Sequence, residues 1–115
     1  MDPTRPIAVL VEIDSPQVVV YRLWFRRPGE TLWTVFATGT DEEATNPSAH
    51  QHVVGPLPAG SRLAYHVIFS GNPVTSFRVR LTASQDGRPL DGGEVMIDGT
   101  TDGSGVAARQ GEIQL

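Results

Sequence analysis

Residues 61–81, SRLAYHVIFSGNPVTSFRVRL, decide the fold that the sequence predicts. Apolar side chains occupy every second position on both sides of a central Ser-Gly-Asn-Pro segment. They are Leu63, Tyr65, Val67 and Phe69 before it, and Phe77, Val79 and Leu81 after it. A period of two is typical of a β-strand with one buried face. Gly71 and Asn72 tolerate positive φ, and Pro73 has no N–H to donate, so the segment predicts a long β-hairpin around which the chain packs.

The same alternation, interrupted by turn residues, predicts about eight strands along the chain. The predicted ranges are residues 7–13, 17–27, 31–38, 50–54, 61–70, 77–85, 90–97 and 106–115. The nearly continuous apolar run of the first strand predicts burial on both faces or a crossing between sheets. No run of ten or more residues has a convincing helical period. Short strands at this spacing favour an all-β fold, an antiparallel β-sandwich.

Residues 39–49 form the least regular segment, and a surface loop is expected there, with one helical turn over residues 41–44. Long loops carry function more often than short ones. Later in the chain, Asp98, Thr100 and Asp102 with Gly103 imitate the start of a calcium loop. Arg109 stands where such a loop needs a glutamate, so an Asp/Gly turn is the favoured interpretation.

Length and composition limit the class of protein. A chain of 115 residues predicts a single domain, residues 1–115, with a flexible lead at residues 1–6. The absence of cysteine excludes disulfides, thiolate metal sites and a cysteine nucleophile. A net charge of -4 argues against general nucleic-acid binding. No membrane span or signal peptide is predicted, no cofactor is expected, and the compartment stays open.

Two segments resemble known modules. Residues 53–67, VVGPLPAGSRLAYHV, are similar to the part of fibronectin type III domains where a Leu-Pro-Gly turn leads to a core tyrosine. Residues 86–107, DGRPLDGGEVMIDGTTDGSGVA, resemble bacterial Ig-like and carboxypeptidase-regulatory-like domains. The matched positions are Asp86, Gly87, Pro89, Leu90, Gly92, Val95, Thr101, Asp102, Gly105 and Ala107. The resemblance implies an Ig-like sandwich used for display or adhesion rather than for catalysis.

The three histidines of the chain form one candidate site. His50 and His52 share a face of the predicted strand at residues 50–54. If that strand pairs with residues 61–69, His66 falls opposite one of them, and three imidazoles could bind a transition metal. Asp41 or one of the two glutamates after it could add a carboxylate. Solvated histidines on an outer face are the alternative interpretation.

A second candidate site consists of arginines around a tryptophan. Arg22, Trp24 and Arg26 lie on one face of the second strand. Arg62, His66, Arg78 and Arg80 lie on the outward face of the predicted hairpin. If these strands share a sheet, they form an arginine-rich face on which a carboxylate, phosphate, sugar or base could bind. A solvated sheet face with Trp24 half covered by arginine stems, or a register shifted by one residue, is the alternative.

No catalytic motif stands out. No serine lies in a Gly-x-Ser-x-Gly elbow, and no glycine-rich phosphate loop opens a helix. The sequence therefore predicts a non-catalytic binding or assembly module, with a protein partner or a homo-oligomer, since unpaired edge strands invite pairing. One alternative is a carbohydrate-binding module with Trp24 or Trp33 as its platform. The other is a metal-binding protein that uses His50, His52 and His66.

Overall fold

The computed structural model describes residues 1–41 and 48–115, and these residues form eight β-strands. The strands are β1 (Ile7–Asp14), β2 (Val18–Arg26), β3 (Thr34–Asp41), β4 (Ser48–Val54), β5 (Arg62–Ser70), β6 (Ser76–Gln85), β7 (Arg88–Thr100) and β8 (Val106–Gln114). The predicted all-β architecture of about eight strands is confirmed. The described part of the chain contains no helix that is long and apolar enough to cross a membrane.

The strands form two four-stranded antiparallel sheets that pack into a sandwich. Sheet A has the order β4-β1-β6-β7, and sheet B has the order β3-β2-β5-β8. In the described residues, all six pairings between neighbouring strands are antiparallel. Each sheet therefore has two edge strands, which are β4 and β7 in sheet A and β3 and β8 in sheet B.

The predicted hairpin over residues 61–81 is wrong. β5 lies in sheet B between β2 and β8, whereas β6 lies in sheet A between β1 and β7. The five residues 71–75 carry the chain from one sheet to the other instead of turning it back within one sheet. Alternation shows which side chains face the core. It does not show whether two successive strands pair in one sheet or lie in facing sheets, because both arrangements produce the same alternation. The hairpin therefore did not follow from the pattern.

The predicted inward and outward faces are confirmed. On β5 and β6 the side chains Leu63, Val67, Phe69, Phe77, Val79 and Leu81 are buried, and Tyr65 is half-buried. On β2 the alternate residues Val19, Tyr21 and Leu23 are buried while Arg22 is exposed. β1 contributes Ile7, Val9, Val11 and Ile13 to the core, and its outward residues Ala8, Leu10 and Glu12 are half-buried because β1 lies between β4 and β6. The core is the space between the two sheets.

The link between β5 and β6 is held by hydrogen bonds to two other segments. The Gly71 N–H donates to the Gly105 carbonyl at 2.8 Å, and the Thr101 hydroxyl donates to the Asn72 carbonyl at 2.6 Å. The Gln17 side-chain amide donates to the Thr75 carbonyl at 3.3 Å. These bonds satisfy polar groups that the crossing would otherwise leave unpaired.

Several predicted boundaries change. β3 continues to Asp41, so the loop predicted to begin at residue 39 is wrong for residues 39–41. The rest of that prediction, including the helical turn, falls mostly on residues 42–47, which lie outside the described residues. β4 begins at Ser48, and β7 is longer than predicted at both ends. The Asp/Gly turn is confirmed, since the Asp102 carboxylate accepts hydrogen bonds from the Ser104 and Val106 amides.

The lead at residues 1–6 contacts the end of β6. The Gln85 side-chain amide donates to the Asp2 carbonyl at 2.7 Å and to the Arg5 carbonyl at 3.1 Å. In return, the Asp2 amide donates to the Gln85 side-chain oxygen at 2.8 Å. Gln85 is 8% exposed, so its amide would be costly to bury without these partners. The flexibility of the lead stays a prediction.

Both edge strands of sheet B carry a glycine beneath a tyrosine of the neighbouring strand. Gly39 of β3 pairs with Tyr21 of β2, and Gly111 of β8 pairs with Tyr65 of β5. A Cβ atom at either glycine would overlap the tyrosine that lies over it. The glycines therefore make room for rings that extend from the central strands across the edges.

We expect Gly39→Ala to lower the free energy of unfolding by about 1–3 kcal/mol, because the buried Tyr21 ring must move to accept the new methyl group. The measurement is urea denaturation. Gly55→Ala is the matched control, since no atom lies within 4 Å of its added Cβ. This control should change stability by less than about 0.5 kcal/mol. Equal stability of the two variants would contradict the close approach of Tyr21 to β3.

Candidate functional site

The outer face of sheet B, called the outer B face below, collects most of the second predicted site. It consists of Val18, Val20, Arg22, Trp24 and Arg26 of β2, Arg62, Ala64, His66 and Ile68 of β5, and Ala108, Gln110 and Glu112 of β8, with Trp33 just before β3. Because β2 and β5 pair directly, Arg22 lies opposite His66 and Trp24 lies opposite Ala64. The predicted grouping of Arg22, Trp24 and Arg26 on one outward face is therefore confirmed.

Arginine side chains lie over both tryptophans of this face. The Arg26 guanidinium carbon is 4.8 Å from the Trp33 ring centroid, and the Arg22 guanidinium carbon is 6.0 Å from that of Trp24. At these distances a cation is attracted to the negative face of the ring. The contacts hold the indole rings in place and leave the guanidinium N–H groups of the exposed Arg22 available to a ligand.

A shallow groove of about 480 Å³ crosses one end of the outer B face. Its lining residues are Trp24, Trp33, Ala64, Tyr65, Gln110, Gly111 and Glu112. Ala64 lies between Trp24 on one neighbouring strand and Glu112 on the other. Because its side chain is small, Ala64 forms the floor of the groove. Glu112 also pairs with Arg62, whose guanidinium nitrogen is 3.3 Å from the carboxylate. An aromatic wall thus faces a polar wall across a small side chain.

Arg78 and Arg80 do not belong to this site, and the prediction that placed them beside Arg22 is wrong. Both lie on β6, so their side chains are on the outer face of sheet A. Arg80 makes two bonds to the Glu12 carboxylate, at 3.0 and 3.1 Å, and these bonds raise the pKa of the guanidinium. Arg78 lies between Asp14 and Asp98 in the strand register. Neighbouring carboxylates therefore offset the positive charge of both arginines.

The three histidines are also separated. β4 pairs with β1 in sheet A, so the predicted pairing of β4 with residues 61–69 is wrong. His66 lies on the outer B face, whereas His50 and His52 occupy the inward-facing positions of β4 and are half-buried. Within residues 1–41 and 48–115, no three His, Asp or Glu side chains are grouped so that they could hold a metal ion. Metal binding by His50, His52 and His66 stays a prediction from the sequence.

His50 and His52 instead form a polar cluster with Tyr21 at the side of the sandwich where β3 and β4 lie. The Tyr21 hydroxyl and His52 Nε2 are hydrogen-bonded at 2.6 Å, which joins sheet B to sheet A. His50 Nε2 is 3.5 Å from the Asp41 carboxylate, which also accepts a hydrogen bond from the Ser48 hydroxyl. Burial, together with the charge of His50, lowers the pKa of His52. Burial and the nearby Asp41 carboxylate raise the pKa of Tyr21.

Val54, His52 and His50 share one face of β4, but Ala49 and Val53 on its other face are equally apolar. Alternation therefore gave no signal for the inward placement of the two histidines. The groove residues Gln110 and Glu112 carried no signal either. Their presence beside Ala64 depends on β8 pairing with β5, and a pattern of alternation does not specify strand neighbours.

We expect the protein to lose stability on acidification through His52. Because the folded-state pKa of His52 lies below its ordinary 6.5, the unfolded chain takes up the proton first as the pH falls. The free energy of unfolding should therefore decrease as the pH falls below 6.5, down to the folded-state pKa. Thermal melts at about pH 7.5 and about pH 5.5 measure the loss.

The variant His52→Gln should reduce this pH dependence, since glutamine does not titrate and can still bond Tyr21. His66→Gln is the control, because His66 lies on the outer B face away from Tyr21, and it should keep the full dependence. A His52→Gln protein with the same pH dependence as the unmodified chain would refute the role of His52.

Comparisons with known proteins show the fold. No family model matches the chain, and no curated protein matches it. A DUF4425 family protein from Bacteroides ovatus ATCC 8483 has a similar solved structure, with a TM-score of 0.58 at 10% identity over 96% of this chain and 94% of that one. A domain of unknown function, DUF4425, from Bacteroides vulgatus ATCC 8482 matches with a TM-score of 0.57 at 8% identity, over 100% of this chain and 99% of that one. The chain is thus similar in fold to DUF4425 proteins of Bacteroides.

Proposed function

We propose that the protein is a non-catalytic binding module whose outer B face recognises an acidic segment of a partner protein. The observation that carries the proposal is the grouping of Arg22, Arg26, Trp24 and Trp33 on one open sheet face. Arginine and tryptophan are the side chains that most often supply binding energy at protein interfaces. Two of the arginines already lie over indole rings. Their side chains therefore lose less conformational entropy when a partner binds.

The charge of the face supports an acidic partner. Arg22, Arg26 and Arg62 project from it, whereas Glu112 is the acid at its groove, and the whole chain has a net charge of -4. A positive face attracts an acidic segment and repels the same positive face of a second copy. An aspartate or glutamate of the partner can accept two hydrogen bonds from Arg22.

Apolar residues beside the arginines support a partner that is also partly hydrophobic. Val18 and Ile68 are each 37% exposed and Val20 is 42% exposed, so this part of the face is open. Val20 and Ile68 are directly opposite each other on β2 and β5, next in register to Arg22 and His66. Burial of these apolar side chains by a partner would add a hydrophobic contribution to the binding free energy, which the charges alone do not supply. The partner segment should therefore carry acidic residues next to apolar ones.

We also propose that the sandwich is related to Ig-like domains. The supporting features are two facing antiparallel sheets and the turn pattern of residues 86–107, whose Asp102 turn has the expected local hydrogen bonds. Domains of this architecture commonly act in adhesion and recognition, which is compatible with a binding role.

Selection from a random peptide library tests the protein-binding proposal. Peptides that bind the protein should be enriched in aspartate and glutamate next to apolar residues, and their affinity should fall as salt is added. Trp24→Ala should weaken the best peptide about tenfold or more, and Arg22→Gln should weaken it less. Titration calorimetry with the selected peptide gives the affinities.

Arg78→Gln is the matched control, since it removes an exposed arginine from the outer face of sheet A. It should bind the peptide as the unmodified protein does. Selected peptides without an acidic bias, or equal affinities for Arg22→Gln, Trp24→Ala and Arg78→Gln, would overturn the proposal.

A carbohydrate ligand is the second candidate, and the groove beside Trp24 and Trp33 favours it. Indole rings stack against the apolar face of a sugar, and the opposite wall offers the Gln110 amide and the Glu112 carboxylate for hydroxyl groups. A glycan array should then yield a defined hit that changes the tryptophan fluorescence, and Trp33→Ala should abolish both signals. A silent array with unchanged fluorescence would remove this candidate.

A further inference from the structure

Three of the four edge strands in the described part of the chain have features that discourage pairing with another strand. β3 has a register shift opposite Leu23 and Trp24, and it contains Gly39. β7 has a register shift opposite Thr82 and Ser84 and contains one proline, three glycines and three acidic residues. β8 contains Gly111 together with charged Arg109 and Glu112. Bulges, prolines, glycines and charges are devices by which edge strands avoid aggregation.

β4 has none of these features. Its sequence, SAHQHVV, contains no glycine, no proline and no arginine, lysine, aspartate or glutamate. Its pairing with β1 runs through seven consecutive residue pairs without a register shift. Val53 at its outward face is 61% exposed, although it is apolar and lies within this regular pairing. An uncharged, regular edge strand with an exposed valine is a template for another strand.

The order of residues in β4 indicates which strand would fit. The sequence is nearly symmetric about Gln51, with a histidine on each side, then Ala49 and Val53. In an antiparallel pair of identical strands centred on Gln51, each glutamine faces the other, and each Ala49 faces a Val53 of the second copy. His50 then faces His52 of the second copy on the inner face, so inward and outward faces match across the junction.

We propose that β4 pairs antiparallel with β4 of a second copy of this chain about a two-fold axis at Gln51, which joins two four-stranded sheets into one continuous sheet. This inference goes beyond the proposed partner-binding face and uses a different surface. Val53 lies opposite the half-buried Ala8 of β1, so the junction continues an apolar strip that sheet A already has. Contact along one strand buries little area, and a weak, concentration-dependent dimer is expected.

Sedimentation velocity over a range of protein concentrations tests for the dimer. The unmodified protein should shift from monomer to dimer as concentration rises. Gln51→Lys places two positive charges opposite each other at the axis and should weaken the dimer about tenfold or more. Gln51 is exposed, so the folded protomer should tolerate the change, and circular dichroism checks this. Gln114→Lys on β8 is the control and should dimerise normally.

Disulfide trapping tests the register, since the chain has no cysteine of its own. Residues directly opposite in an antiparallel pair have Cβ atoms about 4.5–5.5 Å apart, close to the range of a disulfide. Gln51→Cys should therefore form a covalent dimer rapidly under mild oxidation. Ala49→Cys should not, because its two copies lie four residues apart along the junction, about 13 Å. The double variant with Ala49→Cys and Val53→Cys should crosslink again.

A protein that stays monomeric at every concentration would overturn the proposal, as would a Gln51→Lys variant that dimerises normally. Faster trapping of Ala49→Cys than of Gln51→Cys would overturn the register. Neither result affects the outer B face, because peptide binding there is measured on the monomer and with variants of β2. Failure of the dimer and failure of the partner-binding proposal are therefore distinguishable.

Discussion

The structure depends on the crossing of the chain from sheet B to sheet A between Ser70 and Ser76. Phe69 and Phe77 lie on either side of this crossing, and their rings stack with centroids 3.8 Å apart and planes 19° apart. Both rings are buried, so the contact joins the two sheets through the core. A hairpin at the same place would leave both strands in one sheet, and the two rings could not stack on each other across the core.

This crossing also decides which functional side chains can meet. It leaves Arg22, Trp24 and Arg26 on sheet B with His66, and it moves Arg78 and Arg80 to the opposite outer surface. Burial by face could be predicted from the sequence because alternation depends only on neighbours along the chain. Sheet membership could not, because five linking residues can either close a turn within one sheet or carry the chain to the facing sheet. The difference between the two depends on contacts with Gln17 and the turn at residues 101–105, which are distant in sequence.

The histidines illustrate the same limit on a smaller scale. Their residue type and their shared strand face were visible in the sequence, but the partner strand was not. β4 pairs with β1, which presents Val9 and Val11 on the inner face, and the polar partners Tyr21 and Asp41 come from the facing sheet. The result is a hydrogen bond between the two sheets, from Tyr21 to His52, at the side where β3 and β4 lie. Similarly, the groove residues of β8 required knowledge of strand order.

The two proposed surfaces have a geometric relation that bears on function. Pairing at β4 with matched faces places the inner faces of both A sheets on the same side of the joined sheet, and each sheet B covers its own sheet A on that side. The two outer B faces of a dimer would consequently point in the same general direction. A partner that carries repeated acidic segments, or a surface with many of them, would then engage both faces at once. The second contact would form at a high effective concentration, so a weak dimer and a weak single contact could together give firm attachment.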